Sequence, residues 1–371
     1  MRVLLTGGGT AGHINPALAI AETVLRNAPG SRVEFVGVKG GKEDELVPRA
    51  GYQLHHVKSS ALQGKKGIGR FAALALAATS PYLPSTVSII KKFKPDIVIG
   101  TGGYASWPIM AAAARMGIPT ALHESNASPG LAVRRLQSKV DRVWINFPET
   151  ANAFGNTPKI VCVGNPILQD FSTVDRNAAR AKLGIASDQK LILSFGGSNG
   201  AENLNSAVIE FMKSVVVNDQ KIIHLHASGK INYNDAKKLY DEAGLSSAEN
   251  CKLLPYIYDM PLQMAAADLV IARAGAMTVS ELALMKKACV LIPSPNVSED
   301  HQYKNAKALA DAGAATLVKE EELGEGRLTA AICELLASKT RLQEQQANIA
   351  SFAREDACSR IWQDILALTG K

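Results

Sequence analysis

Two glycine-rich loops, one near the N-terminus and one past the middle, are the residues best suited to binding a phosphate group. Gly7–His13 and Gly196–Ala201 each follow a short apolar run and precede a helix-like segment. Such a loop points backbone amides and the positive end of a helix dipole outward, and glycine lets a phosphate approach without a Cβ clash. Neither loop continues as a P-loop, and the first lacks the acidic residue about twenty positions on that a dinucleotide site requires. The pair predicts two α/β units facing a cleft that holds a phosphate-bearing ligand.

Polar residues also follow other predicted strands, where α/β proteins bind their ligands. In the first half, Gly100–Tyr104 and His123–Asn126 come directly after short apolar runs. In the second half, Gly275–Glu281 opens a helix, and Ser298–Ala306 gathers side chains suited to sugar hydroxyls. Two interpretations of the helix start remain open. Either Thr278 caps the helix together with the glutamate three residues on, or that carboxylate accepts both hydroxyls of a ribose.

Strand-length apolar runs alternate with helical patterns along the whole chain, which is typical of parallel sheets covered on both faces by helices. The predicted strands are 3–6, 33–38, 96–100, 120–123, 142–145, 160–163, 191–195, 222–226, 269–272 and 288–292. The predicted helices are 15–27, 68–93, 107–116, 176–183, 202–217, 278–287 and one or two within 341–368. The fold class is therefore predicted as α/β, and the turn signal at 164–166 predicts a linker.

Composition and charge narrow the function classes. The chain of 371 residues has room for two domains, and its five scattered cysteines without a CxxC pair indicate neither a disulfide framework nor a zinc site. The N-terminus lacks a secretory-signal pattern, and apolar runs such as 71–78 are too short to cross a bilayer, so we expect no integral membrane segment.

Residues 1–160 hold 19 Lys and Arg against 9 Asp and Glu. A basic half favours an anionic partner, which is nucleic acid, anionic lipid or a phosphorylated acceptor.

Eight segments together carry a specific resemblance. They are GGTAGHINPALAIAE (8–22), GGYAS (102–106), HESN (123–126), GNP (164–166), GGSNGA (196–201), YIYDM (256–260), GAMTVSE (275–281) and EDHQYKNA (299–306). In this order, and over nearly the whole chain, they resemble the MurG family, the bacterial N-acetylglucosaminyltransferases of glycosyltransferase family 28. The resemblance implies the GT-B fold, in which two Rossmann-like domains with parallel sheets face each other across a cleft. It also implies an N-terminal acceptor- and membrane-binding domain of 1–163 plus about 345–371, and a C-terminal UDP-GlcNAc-binding domain of 164–344.

The activity implied is an inverting transfer of GlcNAc from UDP-GlcNAc to the 4-hydroxyl of MurNAc in lipid I (undecaprenyl-pyrophosphoryl-MurNAc-pentapeptide), which forms lipid II in peptidoglycan synthesis. By motif match, the donor-binding residues are Thr10, Ala11, Gly12, Asn126, Ser198, Ile257, Ala276, Met277, Thr278, Val279, Ser280, Glu281 and Gln302. The acceptor-side residues are Gly102, Gly103, Tyr104 and Glu124. The catalytic candidates are His13 and Asn126. No cofactor and no metal are expected, because the sequence has no evident DxD-type metal motif.

Within this set the resemblance assigns specific roles. The backbone of Ile257 would contact the uracil, Glu281 the ribose, Ser198 and the glycine-loop amides the diphosphate, and Gln302 the hydroxyls of GlcNAc. His13 is the candidate general base because an unperturbed imidazole titrates near neutrality, with ordering of its own loop as the alternative role.

The implied acceptor is a membrane lipid, so the protein is expected as a peripheral protein at the cytoplasmic face of the inner membrane. Its partners would be UDP-GlcNAc, lipid I, an anionic membrane surface and other cell-wall synthesis proteins, with roles in cell shape and cell division and no nucleic acid. An apolar patch rimmed by cations would serve this purpose, with burial in a core helix as the alternative. The candidate patch comprises Lys65, Lys66, Arg70, Phe71, Leu74, Leu76, Tyr82, Leu83, Lys91, Lys92, Lys94, Arg134, Arg135 and Lys139.

Three positions depart from the family pattern. Leu168 stands where an arginine near the donor phosphates is usual, Asn199 replaces a glutamine, and Trp107 replaces a glycine. The loss of an arginine removes a charge-assisted hydrogen bond to phosphate. Either another cation, for which Arg273 is the candidate, takes its place, or donor affinity is lower.

Three other classes of protein compete with this interpretation. One is a different GT-B enzyme that moves a UDP-sugar to a lipid acceptor such as diacylglycerol, and the HESN and EDHQ segments argue against it. A nicotinamide-dependent oxidoreductase is disfavoured because the acidic ribose residue after the first loop is absent. A nucleic-acid-binding module is disfavoured because basic and aromatic residues do not interleave.

Overall fold

The computed structural model describes residues 1–60, 67–155, 157–297 and 300–371. The chain divides into two compact units, one formed by Met1–Gln169 with Arg354–Lys371 and the other by Asp170–Ala353. These divisions fall later along the chain than the predicted limits at 163/164 and about 344/345. The GNP segment stays with the first unit because the buried His123 ring donates a hydrogen bond from Nε2 to the Gly164 carbonyl at 3.0 Å.

The first unit is built on a sheet of seven parallel strands in the order β3-β2-β1-β4-β5-β6-β7. Its strands are β1 (Arg2–Thr6), β2 (Arg32–Gly37), β3 (Gln53–His56), β4 (Ile97–Gly100), β5 (Thr120–Glu124), β6 (Arg142–Ile145) and β7 (Ile160–Cys162). Its first six helices are α1 (Ala11–Asn27), α2 (Glu43–Arg49), α3 (Gly67–Thr79), α4 (Pro84–Phe93), α5 (Ser106–Arg115) and α6 (Leu131–Leu136). The order reverses between β1 and β4, so the loops after these two strands open at the switch point where α/β sheets bind ligands.

The second unit is built on a sheet of six parallel strands in the order β10-β9-β8-β11-β12-β13. Its strands are β8 (Lys190–Phe195), β9 (Ile222–Ala227), β10 (Cys251–Leu254), β11 (Leu269–Ala272), β12 (Cys289–Leu291) and β13 (Thr316–Leu317). Its helices are α7 (Asp170–Thr173), α8 (Arg176–Leu183), α9 (Glu202–Ser214), α10 (Tyr233–Glu242), α11 (Met260–Ala266), α12 (Ala276–Leu284), α13 (His301–Asp311), α14 (Arg327–Ala337) and α15 (Lys339–Ala350). Its switch point lies between β8 and β11.

The last helix, α16 (Ala357–Thr369), returns to the first unit. Ile361 and Ile365 are fully buried in the core that also holds Leu5, Ile14 and Trp144. The predicted helical segment 341–368 is thus two helices that belong to different units. Its break at Ser351–Asp356 is the place where the chain passes from one unit to the other.

The predicted single helix 68–93 is wrong. The chain forms α3, a 3-10 turn at Ser80–Tyr82, and then α4. Pro81 and Pro84 have no amide hydrogen for the helical ladder, and Leu83 takes an extended conformation (φ −60°, ψ 136°) that the following proline favours. Taken as one stretch, Gly69–Phe93 is nevertheless long and apolar enough, by length and composition alone, to cross a membrane. The expectation that every apolar segment is too short was therefore too strict.

Other helix boundaries also correct the sequence analysis. Helix α1 begins at Ala11, not Asn15. The last three residues of the first glycine loop, 11–13, therefore belong to the first turn of this helix. The capping role for Thr278 is wrong, because α12 begins at Ala276 after Gly275 and has no side-chain cap. Strands β3, β10 and β13 were not predicted from the sequence. β3 and β10 are sheet-edge strands with partly exposed residues, and β13 has only two residues, so none shows the continuous apolar run of a central strand.

Candidate functional site

The first glycine loop passes directly from β1 into α1. Gly9 has φ +85°, a left-handed conformation that glycine adopts without strain, and Thr10 is the extended N-cap residue. Ala11, Gly12 and His13 form the first helical turn. The His13 amide donates to the Thr10 carbonyl at 3.1 Å, whereas the Ala11 and Gly12 amides precede the first hydrogen bond of the helix. This end of a 17-residue helix can therefore stabilise negative charge on a bound group.

The loop after β4 packs tightly against this first loop. A Cβ at Gly103 would lie 2.2 Å from the Gly8 carbonyl oxygen, and one at Gly102 would lie 2.8 Å from His13 Cδ2. Thr101 Oγ1 donates a hydrogen bond to the His13 carbonyl at 2.6 Å. Two of the predicted acceptor-side residues are thus brought into contact with the predicted base, and only glycine fits at either position.

His13 is held in one orientation by its own loop. Its Nδ1 lies 3.1 Å from the Gly8 carbonyl oxygen and 3.3 Å from Thr10 Oγ1. Because a carbonyl can only accept, Nδ1 carries the proton and Nε2 carries the lone pair. Burial lowers the pKa of His13 below its usual 6.5, although the Gly8 carbonyl and the Glu43 carboxylate oppose that shift. The ring is therefore neutral at neutral pH, which is the form that can accept a proton.

Glu43 is a site residue that the sequence analysis missed. Its side chain is fully buried beneath the first loop, where one carboxylate oxygen accepts from the Gly9 amide and the other from the Val38 amide, both at 3.0 Å. A Cβ at Gly8 would lie 2.4 Å from Glu43 Oε1. The only sequence signal was a glutamate in the acidic first turn of α2, which resembles an ordinary helix start.

Glu124 and Asn126 form a second polar group, at the end of β5. The nearly buried Glu124 carboxylate accepts from the Asn126 amide at 2.9 Å, from Asn126 Nδ2 at 3.1 Å and from the Gly130 amide at 2.8 Å. Burial raises the pKa of Glu124, while these hydrogen bonds and Arg134 lower it. Glu124 therefore holds the Asn126 side chain and the backbone of this loop in place, and its acceptor-side role stays a prediction.

The second glycine loop is held by the segment that follows β9. A Cβ at Gly200 would lie 2.0 Å from the Ser228 carbonyl oxygen, and one at Gly229 would lie 2.2 Å from the Gly200 amide nitrogen. Both glycines have positive φ, at +84° and +83°. Asn232 Nδ2 adds a long hydrogen bond of 3.4 Å to the Asn199 carbonyl. Ser198 lies within this braced loop, immediately ahead of the N-terminus of α9.

The other predicted donor residues follow β10 and β11 at the same edge of the sheet. Ile257 is almost fully buried between two partly exposed tyrosines. Ala276, Met277 and Thr278 form the first turn of α12, and Val279, Ser280 and Glu281 continue it. Burial raises the pKa of Glu281 to about 8, so this carboxyl is protonated at neutral pH and can donate as well as accept a hydrogen bond.

The predicted sugar-binding segment follows β12 and is described from Asp300 onward, so Ser298 and Glu299 lie outside the described residues. Gln302 Oε1 accepts from the Ser294 amide at 2.9 Å, which leaves its NH₂ group to face a hydroxyl. A cavity of about 520 Å³ opens beside this pair and is lined in part by Asn203 and Tyr303. Its volume is in the range of small-molecule sites.

The structure shows what Leu168 and Trp107, two departures from the family pattern, contact. It also argues against Arg273 as the replacement for the missing arginine. Leu168 packs against the core of the first unit. Arg273 does not offer a substitute cation, because its guanidinium pairs with Glu320 and donates to the carbonyls of Ile292 and Pro293, both at 3.2 Å. Trp107 donates from Nε1 to the Ala77 carbonyl at 2.6 Å and so fastens the end of α3 to α5.

The predicted residues thus fall into two groups, one at the switch point of each sheet. Thr10–His13, Gly102–Tyr104, Glu124 and Asn126 lie at the ends of β1, β4 and β5, and Ser198, Ile257, Ala276–Glu281 and Gln302 lie at the ends of β8, β10, β11 and β12. Among the described residues, no group of three or more His, Cys, Asp or Glu side chains is arranged to hold a metal ion.

Comparison with known proteins supplies the context for these two groups. The model of the glycosyltransferase family 28 N-terminal domain matches residues 3–145, and that of the C-terminal domain matches 191–361. A relative from Acetivibrio thermocellus is 41% identical over 365 residues, which cover 98% of this chain and 97% of the relative. That relative is named UDP-N-acetylglucosamine–N-acetylmuramyl-(pentapeptide) pyrophosphoryl-undecaprenol N-acetylglucosamine transferase.

The solved structures that resemble the whole chain include a MurG and a UDP-GlcNAc 2-epimerase. The crystal structure of MurG from Acinetobacter baumannii superposes with a TM-score of 0.69 at 28% identity, covering 99% of each chain. The UDP-GlcNAc 2-epimerase from Neisseria meningitidis bound to UDP-GlcNAc superposes with a TM-score of 0.67 at 15% identity, covering 99% of this chain and all of the other. The second likeness concerns the fold alone. The predicted GT-B fold class is confirmed by these neighbours together with the two parallel sheets.

Proposed function

Because this chain belongs to glycosyltransferase family 28, we propose that it transfers GlcNAc from UDP-GlcNAc to the 4-hydroxyl of MurNAc in lipid I, forming lipid II for peptidoglycan synthesis. The observation that carries the proposal is the length of the match. The relative with this printed activity shares 41% of its residues across both units, so the likeness extends over the loops at both switch points and is not limited to the common fold.

The donor would bind along the carboxyl edge of the second sheet. The backbone of Ile257 would meet the uracil, Glu281 the ribose, the amides around Ser198 and the first turn of α9 the diphosphate, and Gln302 the GlcNAc ring. These positions follow five strands in a continuous row, β10-β9-β8-β11-β12, with β9 supplying the brace of the glycine loop. Adjacent strands lie about 4.8 Å apart, so the row has the length of an extended nucleotide sugar.

The acceptor would be activated by the first unit. The 4-hydroxyl of MurNAc attacks the anomeric carbon of GlcNAc, its proton passes to Nε2 of His13, and the bond from the anomeric carbon to UDP breaks with inversion. The new negative charge on UDP is stabilised by the amides of the second glycine loop and the α9 dipole. The Gly200–Gly229 contact holds this loop in place, and donors that are held in place before the reaction stabilise developing charge at a lower reorganisation cost.

A transfer assay tests the proposal. Radiolabelled GlcNAc from UDP-GlcNAc should appear in lipid when a lipid I analogue is supplied, and other UDP-sugars should compete weakly. Diacylglycerol as sole acceptor should give no product, whereas product from it would favour the alternative GT-B lipid transferase. NADH should not bind, as judged by its fluorescence. Absence of transfer to the lipid I analogue by folded, UDP-binding protein would reject the proposal.

We further propose that the first unit rests on the cytoplasmic face of an anionic membrane, where it would act together with other cell-wall synthesis proteins in cell shape and division. Phe71, Tyr82 and Leu131 are exposed by 76%, 64% and 54%. Arg115 stacks over the Tyr82 ring at 4.1 Å. The three apolar groups lie on α3, the 3-10 turn and α6, all of which pack around α5. An exposed apolar group with neighbouring cations is the signature of an interfacial anchor.

Two of the predicted cations, Lys65 and Lys66, lie outside the described residues. Arg70, Lys91, Lys92, Lys94, Arg134, Arg135 and Lys139 are exposed, whereas Leu74, Leu76 and Leu83 are half-buried. Cosedimentation with vesicles tests the arrangement. Binding should require anionic lipid, weaken with salt and fall in a Phe71→Ser/Tyr82→Ser variant, while UDP affinity stays unchanged. Equal binding to neutral vesicles at every salt concentration would exclude the electrostatic part.

A further inference from the structure

The segment that braces the second glycine loop also carries a lysine. Ser228 and Gly229 press against Gly200, and Asn232 reaches the Asn199 carbonyl, so Lys230 lies between two points of attachment to the loop. The backbone on both sides of Lys230 therefore packs against the glycine loop. An exposed side chain starting here therefore begins beside the amides that would face the donor diphosphate.

Two aromatic rings fix the direction of that side chain. Lys230 Nζ lies 5.6 Å from the centroid of the Tyr256 ring and 5.2 Å from that of Tyr258. The two rings meet edge to face at a centroid distance of 4.8 Å and flank Ile257, whose backbone is the proposed uracil contact. The ammonium group is thus held between the uracil end and the diphosphate end of the proposed donor site. Cation–π contacts of this kind reduce the mobility of a lysine that must meet an anion.

We propose that Lys230 is the cation that binds the donor diphosphate in this chain, which rests on the proposed function of the second unit as the UDP-GlcNAc site. The glycine-loop amides and Ser198 are neutral donors, and UDP brings two phosphates whose charge is unmatched by them alone. Leu168 is apolar and packs against the first unit's core, so it supplies no charge for the diphosphate. Lys230 offers the charge at the end of β9, next to the loop that the phosphates approach.

Calorimetric titration with uridine, UMP and UDP tests this assignment in the full-length protein. Lys230→Met should weaken UDP binding about tenfold or more, since a charge-assisted hydrogen bond to phosphate is lost, and should weaken UMP binding less. Uridine affinity should stay unchanged. Lys230→Arg should restore UDP affinity to within about threefold. The salt dependence of UDP binding should become shallower in Lys230→Met.

A matched control is available on α9. Lys213 is also exposed but lies in the last turn of the helix, roughly 16 Å from the end that faces the glycine loop. Lys213→Met should leave all three affinities unchanged. If Lys230 only orders the tyrosines, uridine binding would fall in Lys230→Met by the same factor as UDP binding, which would overturn the inference.

The remaining outcomes separate this inference from the proposed function. UDP binding of equal strength in the unsubstituted chain and in Lys230→Met would overturn the role of Lys230 and leave the transferase proposal intact. Failure of the unsubstituted chain to bind UDP would overturn both. Circular dichroism and the urea midpoint of each variant establish that a lost affinity is not lost folding.

Discussion

At the scale of single residues, three carboxyl groups and one imidazole illustrate how burial decides chemistry. Glu43, Glu124 and Glu281 are all at least nine-tenths buried, yet each has a different set of partners. Glu43 and Glu124 accept hydrogen bonds from backbone amides and so hold the loops that contain those amides in place. Burial alone is the cause of the raised pKa of Glu281. His13 is kept neutral by burial and oriented by a carbonyl.

Replacement of His13 by glutamine should reduce kcat by 10²- to 10⁴-fold, the usual contribution of a general base. UDP affinity should not change, because the proposed donor contacts of the diphosphate lie in the other unit. Steady-state kinetics with calorimetry of UDP binding measures both quantities. Because burial lowers the pKa of His13, the acid limb of the kcat/KM profile should lie below pH 6.5. Near-normal turnover in His13→Gln would leave His13 only an ordering role in its loop.

Replacement of Glu43 by glutamine should destabilise the first unit by about 1.5–3 kcal/mol, the range for hydrogen bonds to a charged group. The new NH₂ group would face an amide donor, so one of the two hydrogen bonds to Gly9 and Val38 is lost. Urea unfolding measures the loss. Glu45→Gln, on the exposed side of the same helix, should change the free energy of unfolding by less than about 0.5 kcal/mol. A similar effect in both variants would contradict the role of Glu43.

Replacement of Glu281 by glutamine should preserve UDP binding to within about threefold at pH 7, while Glu281→Ala should weaken it about tenfold. The reason is that a carboxyl with a pKa of about 8 is already neutral at pH 7, and glutamine copies its shape. If the ribose requires the ionised carboxylate instead, Glu281→Gln would bind UDP as poorly as Glu281→Ala.

The same pKa makes stability depend on pH. The folded chain keeps the Glu281 proton up to about pH 8, whereas the unfolded chain loses it near 4.5, so this group's contribution falls as pH rises through that window. Glutamine cannot ionise, so Glu281→Gln should not lose unfolding free energy in this way at high pH. Its Tm should therefore exceed that of the unsubstituted chain at pH 9, in a comparison by scanning calorimetry.

At the scale of elements, a buried row of polar side chains joins β8, β9 and α9 beneath the second glycine loop. Ser194 Oγ lies 2.7 Å from His224 Nε2 and 2.8 Å from His226 Nδ1, and His226 Nε2 lies 3.0 Å from Asn205 Oδ1. Asn205 donates to the Ser228 carbonyl at 3.0 Å, the same carbonyl that Gly200 approaches. Strand, helix and loop are therefore joined by one continuous chain of hydrogen bonds.

This row should make the second unit sensitive to acid. Burial lowers the pKa of His226 to about 4 and that of His224 well below 6.5. The unfolded chain takes up these protons near pH 6.5, whereas the folded chain does so only at lower pH. The free energy of unfolding should therefore keep the full contribution of these groups above pH 6.5 and decrease as the pH drops toward 4. His224→Leu removes one such group, along with a buried Nδ1 that has no partner, and should flatten the decline in urea midpoint between pH 7 and 4.5.

His301→Gln serves as the control for this element, since His301 is only half-buried at the start of α13. Its urea midpoints should follow those of the unsubstituted chain. An unchanged slope in His224→Leu would show that the buried row does not govern the response to acid.

At the scale of the whole molecule, the chain leaves the first unit once and returns to it with α16. Asp364 on this helix accepts from Trp144 Nε1 at 2.6 Å and pairs with Arg142 Nε at 2.9 Å. Lys371 Nζ reaches Asp96 at 2.8 Å. The final helix thus completes the core and the polar edge of the first sheet, although Asp364 lies 220 residues after its partner Trp144 along the chain.

Ile361→Ala should destabilise the first unit by about 2–4 kcal/mol, the cost of a cavity in a close-packed core. Hydrogen exchange should accelerate in the peptides of β1 and β6, while those of β8 and β11 keep their protection. Gln363→Ala, on the exposed face of the same helix, should have no such effect. Equal acceleration in both units would contradict the assignment of α16 to the first core.

The amino-acid sequence by itself determined the fold class, most of the central strands, both glycine loops and the family. These features depend on patterns within a few residues, such as apolar runs, glycine spacing and short motifs, and such patterns act locally whatever the rest of the chain does. The single helix predicted over 68–93 failed although its local signals, Pro81 and Pro84, were present. The apolar periodicity there outweighed them in the prediction.

Only the tertiary structure decided which polar groups meet. Glu43 reaches a loop 34 residues away, Thr101 a carbonyl 88 residues away, and His123 a carbonyl 41 residues away. The packing of Leu168, the pairing of Arg273 and the position of Lys230 over two tyrosines are of the same kind. The order of strands in a sheet selects these partners, and that order is a property of the folded chain. Sequence therefore identified the loops that bind, and folding determined which side chains support them.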